Sequence, residues 1–386
     1  MAELDRRERS VGKRTADKGR TASTLALAAL VVLGAFTVSC SSESPTVKTE
    51  GPVTFADIDA AISQRVAGDG LDGAALLVVR DGQTFRNRGY ATFNTSTVVP
   101  IASASKWLTA ATMLSLVDDG RLTLDDRVSN HLPEFTGTSG AATIRQLLSH
   151  TSGIAPADCI WDESSSLRAC TSRIARSDST DDPGTRFSYG NTSFSVAGRI
   201  VEIVTGLPFE AAFEQRIAGP VGMSSTTFDG TLYPTDSNPV PAASAQSNLD
   251  DYGRFVKMLS QGGEIDGTRV LSESSVLEME RNQVSPLDTS ADSAVRTTGI
   301  PTYGLGTWRD VVTADDRGLI VSGNGAYGFY PWIDRARDSY GVLLVFDERG
   351  SDRAVPESQG TVQMVWAALD NETGAPETPP TTTFGR

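Results

Sequence analysis

Apolar residues recur along this chain at two periods, and the changes of period mark out its elements. Phe55, Ile58, Ile62 and Val66 fall at helical spacing before Gly68. Ala74–Arg80 and Gln83–Tyr90 read as strands around Asp81-Gly82, a two-residue hairpin signal. A helix is expected from about Ile101 to Asp118, with Leu108, Ala111, Met113, Leu114 and Val117 forming its apolar face. Leu122 to Thr185 is turn-rich, and only Ile144–Ser149 reads as helical there. Helices follow at Phe194–Thr205 and Pro208–Ile217, split by Gly206, and at Asp250–Gly262. Leu319–Ser322, Ala326–Ile333 and Tyr340–Asp347 read as strands, and Val362–Leu369 as a terminal helix. Strands at both ends with helices between them predict an α/β (α+β) fold. Its antiparallel sheet is built from both chain ends and flanked by helices, with a mostly helical insert at about 107–250. The expected domain runs over 53–370, with no internal repeat.

The segments outside that domain have a different composition. Seven basic residues from Arg6 to Arg20 precede an apolar run from Leu25 to Val38 and then Ser39-Cys40. That is the layout of a signal peptide over 1–39, with an apolar run shorter than the ~20 residues of a spanning helix. Thr37-Val38-Ser39-Cys40 resembles a bacterial lipobox, although Thr37 stands where leucine is usual. The resemblance implies a lipid anchor on Cys40, a tether over 40–52 and an extracytoplasmic domain held at the cell membrane. The plain alternative is secretion. Residues 371–386 are rich in Pro and Thr and are expected to be disordered. The net charge of −14 argues against nucleic acid as a partner.

Cys159 and Cys170 lie in a loop-like stretch and are expected to form a disulfide outside the reducing cytoplasm. Two histidines and a cysteine spacing unlike any zinc pattern predict no metal site and no cofactor.

The candidate chemistry begins at Ser103-Ala104-Ser105-Lys106. Residues three apart share a helix face, so the Ser103 hydroxyl and the Lys106 amine can meet. A serine needs a base to become a nucleophile, and a lysine can serve only if its pKa is depressed. The chain has five lysines among its 34 basic residues, and only Lys106 and Lys257 fall within the expected domain. Arginine could not give up its proton at that position. By itself the pair also fits an N-cap serine and a surface lysine. Tyr189-Gly190-Asn191 supplies a phenol whose pKa a neighbouring lysinium would lower, and an amide able to orient that lysine. Read alone, it is a turn before a helix.

Together, Ser103-x-x-Lys106, Tyr189-x-Asn191 and Leu147-Leu148-Ser149-His150-Thr151-Ser152-Gly153-Ile154 resemble the serine β-lactamase-related family. That family groups class C β-lactamases, D-alanyl-D-alanine carboxypeptidases and esterases. The likeness extends from about Phe55 to Leu369. It implies a serine hydrolase acylated on Ser103, with Lys106 and Tyr189 as the proton-transfer pair and a small-molecule or peptide acyl substrate. The family's third motif, Lys-Thr-Gly or His-x-Gly, corresponds to Val321-Ser322-Gly323-Asn324-Gly325-Ala326-Tyr327-Gly328-Phe329, which contains neither lysine nor histidine. Asn324 takes the basic position, with Ser322 as the alternative. Asn191, Asn324, Gly325 and Tyr327 are then the candidate substrate-binding residues, Tyr327 through its N–H. A neutral residue there cannot pair with a substrate carboxylate, so an esterase-like activity is favoured unless Arg309 or Arg335 replaces the missing charge. A Ser-His-Asp triad could use only His131 or His150, and both read as structural. The remaining rival is a penicillin- or cell-wall-peptide-binding protein with the same fold and no turnover.

Overall fold

The computed structural model describes residues 51–229 and 238–371. The expected signal peptide and Cys40 lie outside these residues, as do the tether and the tail apart from their inner edges. Among the described residues, no helix is long and apolar enough to cross a membrane.

A six-stranded antiparallel sheet forms the frame. Its strands are β1 (Gly73–Arg80), β2 (Gln83–Ala91), β3 (Trp308–Val312), β4 (Gly318–Ser322), β5 (Tyr330–Asp334) and β6 (Ser339–Val345), ordered β2-β1-β6-β5-β4-β3. Asp81 and Gly82, at φ 52° and 72°, close the first hairpin with the left-handed backbone that a tight two-residue turn requires. The two chain ends meet where β1 pairs with β6, from Ala74 opposite Val345 to Arg80 opposite Ser339.

Helices α1 (Phe55–Asp69), α2 (Ser105–Asp118), α3 (Thr192–Thr205), α4 (Leu249–Ser260) and α5 (Ser351–Asp370) surround the sheet. Strand side chains alternate between faces. Ala74, Leu76 and Val78 join Trp332, Leu343 and Val345 on the outer face, against Ile58 and Ile62 of α1 and Val362 and Val365 of α5. Ala75, Val321, Ile333, Val342 and Leu344 face inwards, in one core with α2, α3 and α4. Gly253 lets α4 approach β1 closely, since a Cβ there would stand 2.6 Å from Leu77 Cδ2. Helix α2 is buried on every side from Ser105 to Leu116, not on one apolar face as its sequence pattern predicts. It is the central strut between the sheet and the helical body.

Several elements differ from the sequence expectation. The strand expected over Ala326–Ile333 begins only at Tyr330. Before it the chain turns, with the Gly325 N–H donating to the Phe329 carbonyl at 2.7 Å and Gly328 at φ 86°. Strand β3 was not anticipated because Arg309 and Asp310 interrupt its pattern, and its register with β4 shifts twice. Helix α5 begins at Ser351, well before the expected Val362, because Pro356 and Gly360 read as breakers. The stretch from Leu122 to Thr185 holds helices at Val128–His131 and Leu167–Ile174 besides Ile144–Leu148. Cys159 and Cys170 are disulfide-bonded, with Cα atoms 5.3 Å apart.

Candidate active site

Ser103 sits in a 3-10 turn, Ala102–Ala104, that leads directly into α2. Ala102 adopts φ 45°, a backbone conformation that costs a residue with a Cβ ~1 kcal/mol or more. The surroundings hold it there. Ser105 Oγ donates to the Ala102 carbonyl at 2.6 Å and accepts the Ala245 N–H at 3.1 Å. The Tyr252 hydroxyl donates to the Ala104 carbonyl at 2.9 Å. Ser103 is thus nearly buried, at 8% exposure, on a rigid base. N–H groups at the start of such a turn lack partners within it.

Lys106 is fully buried one turn further on. Its Nζ lies 2.8 Å from Asn191 Oδ1, 3.1 Å from the Ala242 carbonyl and 3.1 Å from Ser103 Oγ. Burial in this setting lowers its pKa to about 7. Two of the three partners can only accept. A neutral amine therefore donates both its hydrogens to Asn191 and Ala242, which leaves its lone pair facing the serine hydroxyl. The Ala242 contribution was invisible in the sequence, because any residue supplies a carbonyl. It is delivered by a segment pinned to α2 through Thr109 Oγ1 on the Pro241 carbonyl at 2.6 Å.

Tyr189 joins the same cluster. Its hydroxyl interacts with Ser103, and its ring centroid lies 4.7 Å from Lys106 Nζ. The expectation of a phenol made acidic by lysinium is overturned. Tyr189 is shifted upwards, because its hydroxyl is desolvated among other rings and Asp292 adds unfavourable negative charge. The arrangement thus pairs a neutral phenol with a lysine poised to lose its proton, the reverse of tyrosinate beside lysinium. Trp308 stacks on the Tyr189 ring at 5.2 Å, and the Tyr189 N–H donates to Asp292 Oδ2 at 2.9 Å.

Neither histidine forms a triad with Ser103. His131 pairs with Asp126 at 3.0 Å. His150 is enclosed by Phe187, Tyr189, Phe194 and Tyr303, and its Nδ1 accepts the Gly190 N–H at 3.4 Å. Burial lowers its pKa, so it is a neutral ring that supports Tyr189 from behind.

The third-motif loop closes against the Ser103 turn. A Cβ on Gly325 would lie 2.2 Å from the Ile101 carbonyl, and one on Gly323 would lie 2.6 Å from the Trp107 ring. Asn324 is buried and interacts with the Tyr330 hydroxyl. Tyr330 in turn donates to Asp310 Oδ1 at 2.6 Å, and Ser322 donates to Asp310 Oδ2 at 2.7 Å. Asp310 is half-buried, and desolvation there raises its pKa to about 6. This bracing network escaped the sequence reading along with β3. The Tyr327 ring packs with Ala102 and Phe346, so what Tyr327 can offer a substrate is main chain. Arg309 donates to the Glu280 carbonyl and pairs with Asp316 at 2.9 Å. Arg335 is held by Glu280 at 2.6 Å and by the Ser260 carbonyl at 2.8 Å. Both guanidiniums are committed elsewhere, and neither replaces the missing cation.

The comparisons with known proteins agree with this geometry. Residues 58–359 match the sequence profile of the β-lactamase family. The chain belongs to that family. A putative β-lactamase from Bacteroides dorei shares 31% identity with it, and its crystal structure superposes with a TM-score of 0.74 over 82% of this chain and 99% of that one. Penicillin-binding protein 4 of Amycolatopsis lactamdurans is 34% identical over 258 residues, 56% of this chain and 67% of that protein. Protein flp of Staphylococcus aureus strain MW2 is 31% identical over 192 residues, and the match spans only 39% of its length. The chain spans about two fifths of the length of this relative, and the family match covers most of the chain.

Proposed function

We propose that this protein is a serine hydrolase that cleaves an ester or amide through an acyl-enzyme on Ser103, with an ester as the favoured substrate. The observation that carries the reading is Lys106 Nζ, buried, held by two fixed carbonyl oxygens and 3.1 Å from Ser103 Oγ. A lysine with a pKa near 7 is partly neutral at physiological pH and can take the serine proton as Oγ attacks the substrate carbonyl carbon. The carbonyl oxygen becomes an oxyanion, met by the Ser103 N–H and by main chain of the third-motif loop at Tyr327. When the tetrahedral intermediate collapses, the Tyr189 phenol gives its proton to the departing alcohol or amine and is reprotonated from the Lys106 ammonium. Water then attacks the acyl carbon, and its proton returns through the same groups, restoring Ser103.

The preference for an ester rests on the third motif. With Asn324 neutral and both Arg309 and Arg335 committed, no cation on the strand side marks a carboxylate next to the scissile bond. The test is hydrolysis of p-nitrophenyl butyrate by the purified protein and its Ser103→Ala variant. Loss of turnover in a folded variant, with an added acyl mass on Ser103 in the parent, is the expected result. Equal turnover in both proteins overturns the reading.

A further inference from the structure

Beside Tyr189 and Asn191 lies a cavity of about 470 Å³, walled by Arg186, Ser188, Tyr189, Asn191, Ser193 and Arg296 among others. It adjoins the reacting groups through Tyr189 and Asn191, which line it. We infer that this cavity is a subsite for a carboxylate on the acyl group, read chiefly by Arg296 with help from Arg186. The inference rests on the acyl-serine function proposed above.

Arg296 stands at the end of the short helix Ser293–Thr298. One of its Nη atoms donates to the Ala291 carbonyl, which anchors the side chain. Among the described residues, no carboxylate pairs with it. Arg186 has a single ion pair, to Asp181 at 3.7 Å, longer than a hydrogen bond. Asp292 also lines the cavity, but its two oxygens already accept the N–H groups of Tyr189 at 2.9 Å and Ala294 at 2.8 Å. Its role is to brace the wall. In a chain of net charge −14, two arginines lining one polar cavity beside Tyr189 and Asn191 bring positive charge next to the reacting groups. Guanidinium forks match carboxylates, and hydrogen bonds to charged groups are the stronger kind. The recognised class is therefore an acyl chain ending in a carboxylate, such as a dicarboxylic monoester.

The test compares p-nitrophenyl hemiglutarate, which carries that carboxylate, with p-nitrophenyl valerate, its neutral counterpart of similar length. Arg296→Ala is expected to lower kcat/KM for the hemiglutarate about tenfold, mostly through KM, and to leave the valerate unchanged. Arg296→Lys is expected to recover part of the loss. Equal effects on both esters, or none on either, overturn the inference. Binding of monomethyl glutarate to the Ser103→Ala protein, followed by calorimetry with and without Arg296→Ala, decides the point independently of turnover. Absence of Ser103-dependent hydrolysis of the valerate defeats the proposed function instead, and is read separately.

Discussion

If Lys106 is the base, a single isosteric change at Asn191 moves the pH dependence of the reaction. Asn191 Oδ1 lies 2.8 Å from Lys106 Nζ, and Asn191→Asp puts a carboxylate oxygen in its place. At an effective dielectric of about 20, unit charges at this separation attract by about 6 kcal/mol, equivalent to roughly four pKa units on the lysine. Burying the new carboxylate opposes this, because Asn191 is itself a buried residue, and about half of the gain is expected to survive. The acid limb of kcat/KM, expected near the Lys106 pKa of about 7, then moves up by about two units. Activity at neutral pH falls roughly a hundredfold and returns in alkaline buffer, because the variant must reach a higher pH before its lysine is neutral. The assay is kcat/KM for a p-nitrophenyl ester from about pH 5.5 to about pH 10, corrected for spontaneous hydrolysis. Asn191→Ala serves as the uncharged control, with a lower plateau and a limb that does not rise. A limb that stays in place in Asn191→Asp while the plateau drops would show that the titrating group is not Lys106, and would remove the base from the mechanism.

Two further outcomes follow from the packing. Gly325→Ala forces its new methyl against the Ile101 carbonyl, so the third-motif loop must back away from the Ser103 turn. A misplacement of this size is expected to cost about a hundredfold in kcat/KM, while Gly360→Ala, with open space around it on α5, leaves activity unchanged. Asp310 gives a signature in stability. Its pKa is raised in the folded state from the ordinary 3.8 to about 6, so the native protein holds this proton more tightly than the unfolded chain does. The resulting stabilisation is complete below the ordinary value and is lost as pH rises through about 6. Asp310→Asn does not titrate, so urea unfolding should show it gaining about 3 kcal/mol on the parent across that window, on top of a constant offset from its altered hydrogen bonds. A difference that does not vary with pH would contradict the assignment.

The sequence carried the parts of the site that depend on residue type at fixed spacing. Ser103 and Lys106 meet because they lie one helical turn apart, and Tyr189 and Asn191 arrive beside them as the family resemblance implied. The disulfide was legible for the same reason, as two cysteines in one loop. What escaped depends on the main chain or on the tertiary environment. The Ala242 carbonyl has no side-chain signature. The direction of the Tyr189 shift is not legible from a lysinium neighbour alone, because the folded environment desolvates both groups and disfavours both charges. Asp310 looked like an interruption in a strand pattern. In the fold it is a half-buried acid tying Ser322 to Tyr330, and that polar position concealed β3. Residues 326–329 have the apolar and aromatic character of a strand but lie in the turn before β5, and Gly323 and Gly325 just ahead of them serve close approach to Trp107 and Ile101.

The pairing of β1 with β6 has a consequence for how activity arises during synthesis. The β1–β2 hairpin is complete early, but the other edge of β1 must wait for residues 339–345. Until then it is an open edge facing a costly, long-range loop closure. A nascent or truncated chain that stops short of that strand already contains Ser103, Lys106 and Tyr189. It lacks the last strand of the sheet and cannot seat the Gly323–Gly325 turn that closes over Ile101 and Trp107. On the proposed mechanism, such a chain lacks the assembled, buried setting that lowers the Lys106 pKa. Reactivity would then await the final strand, and an incomplete molecule would be silent towards the proposed acyl substrates.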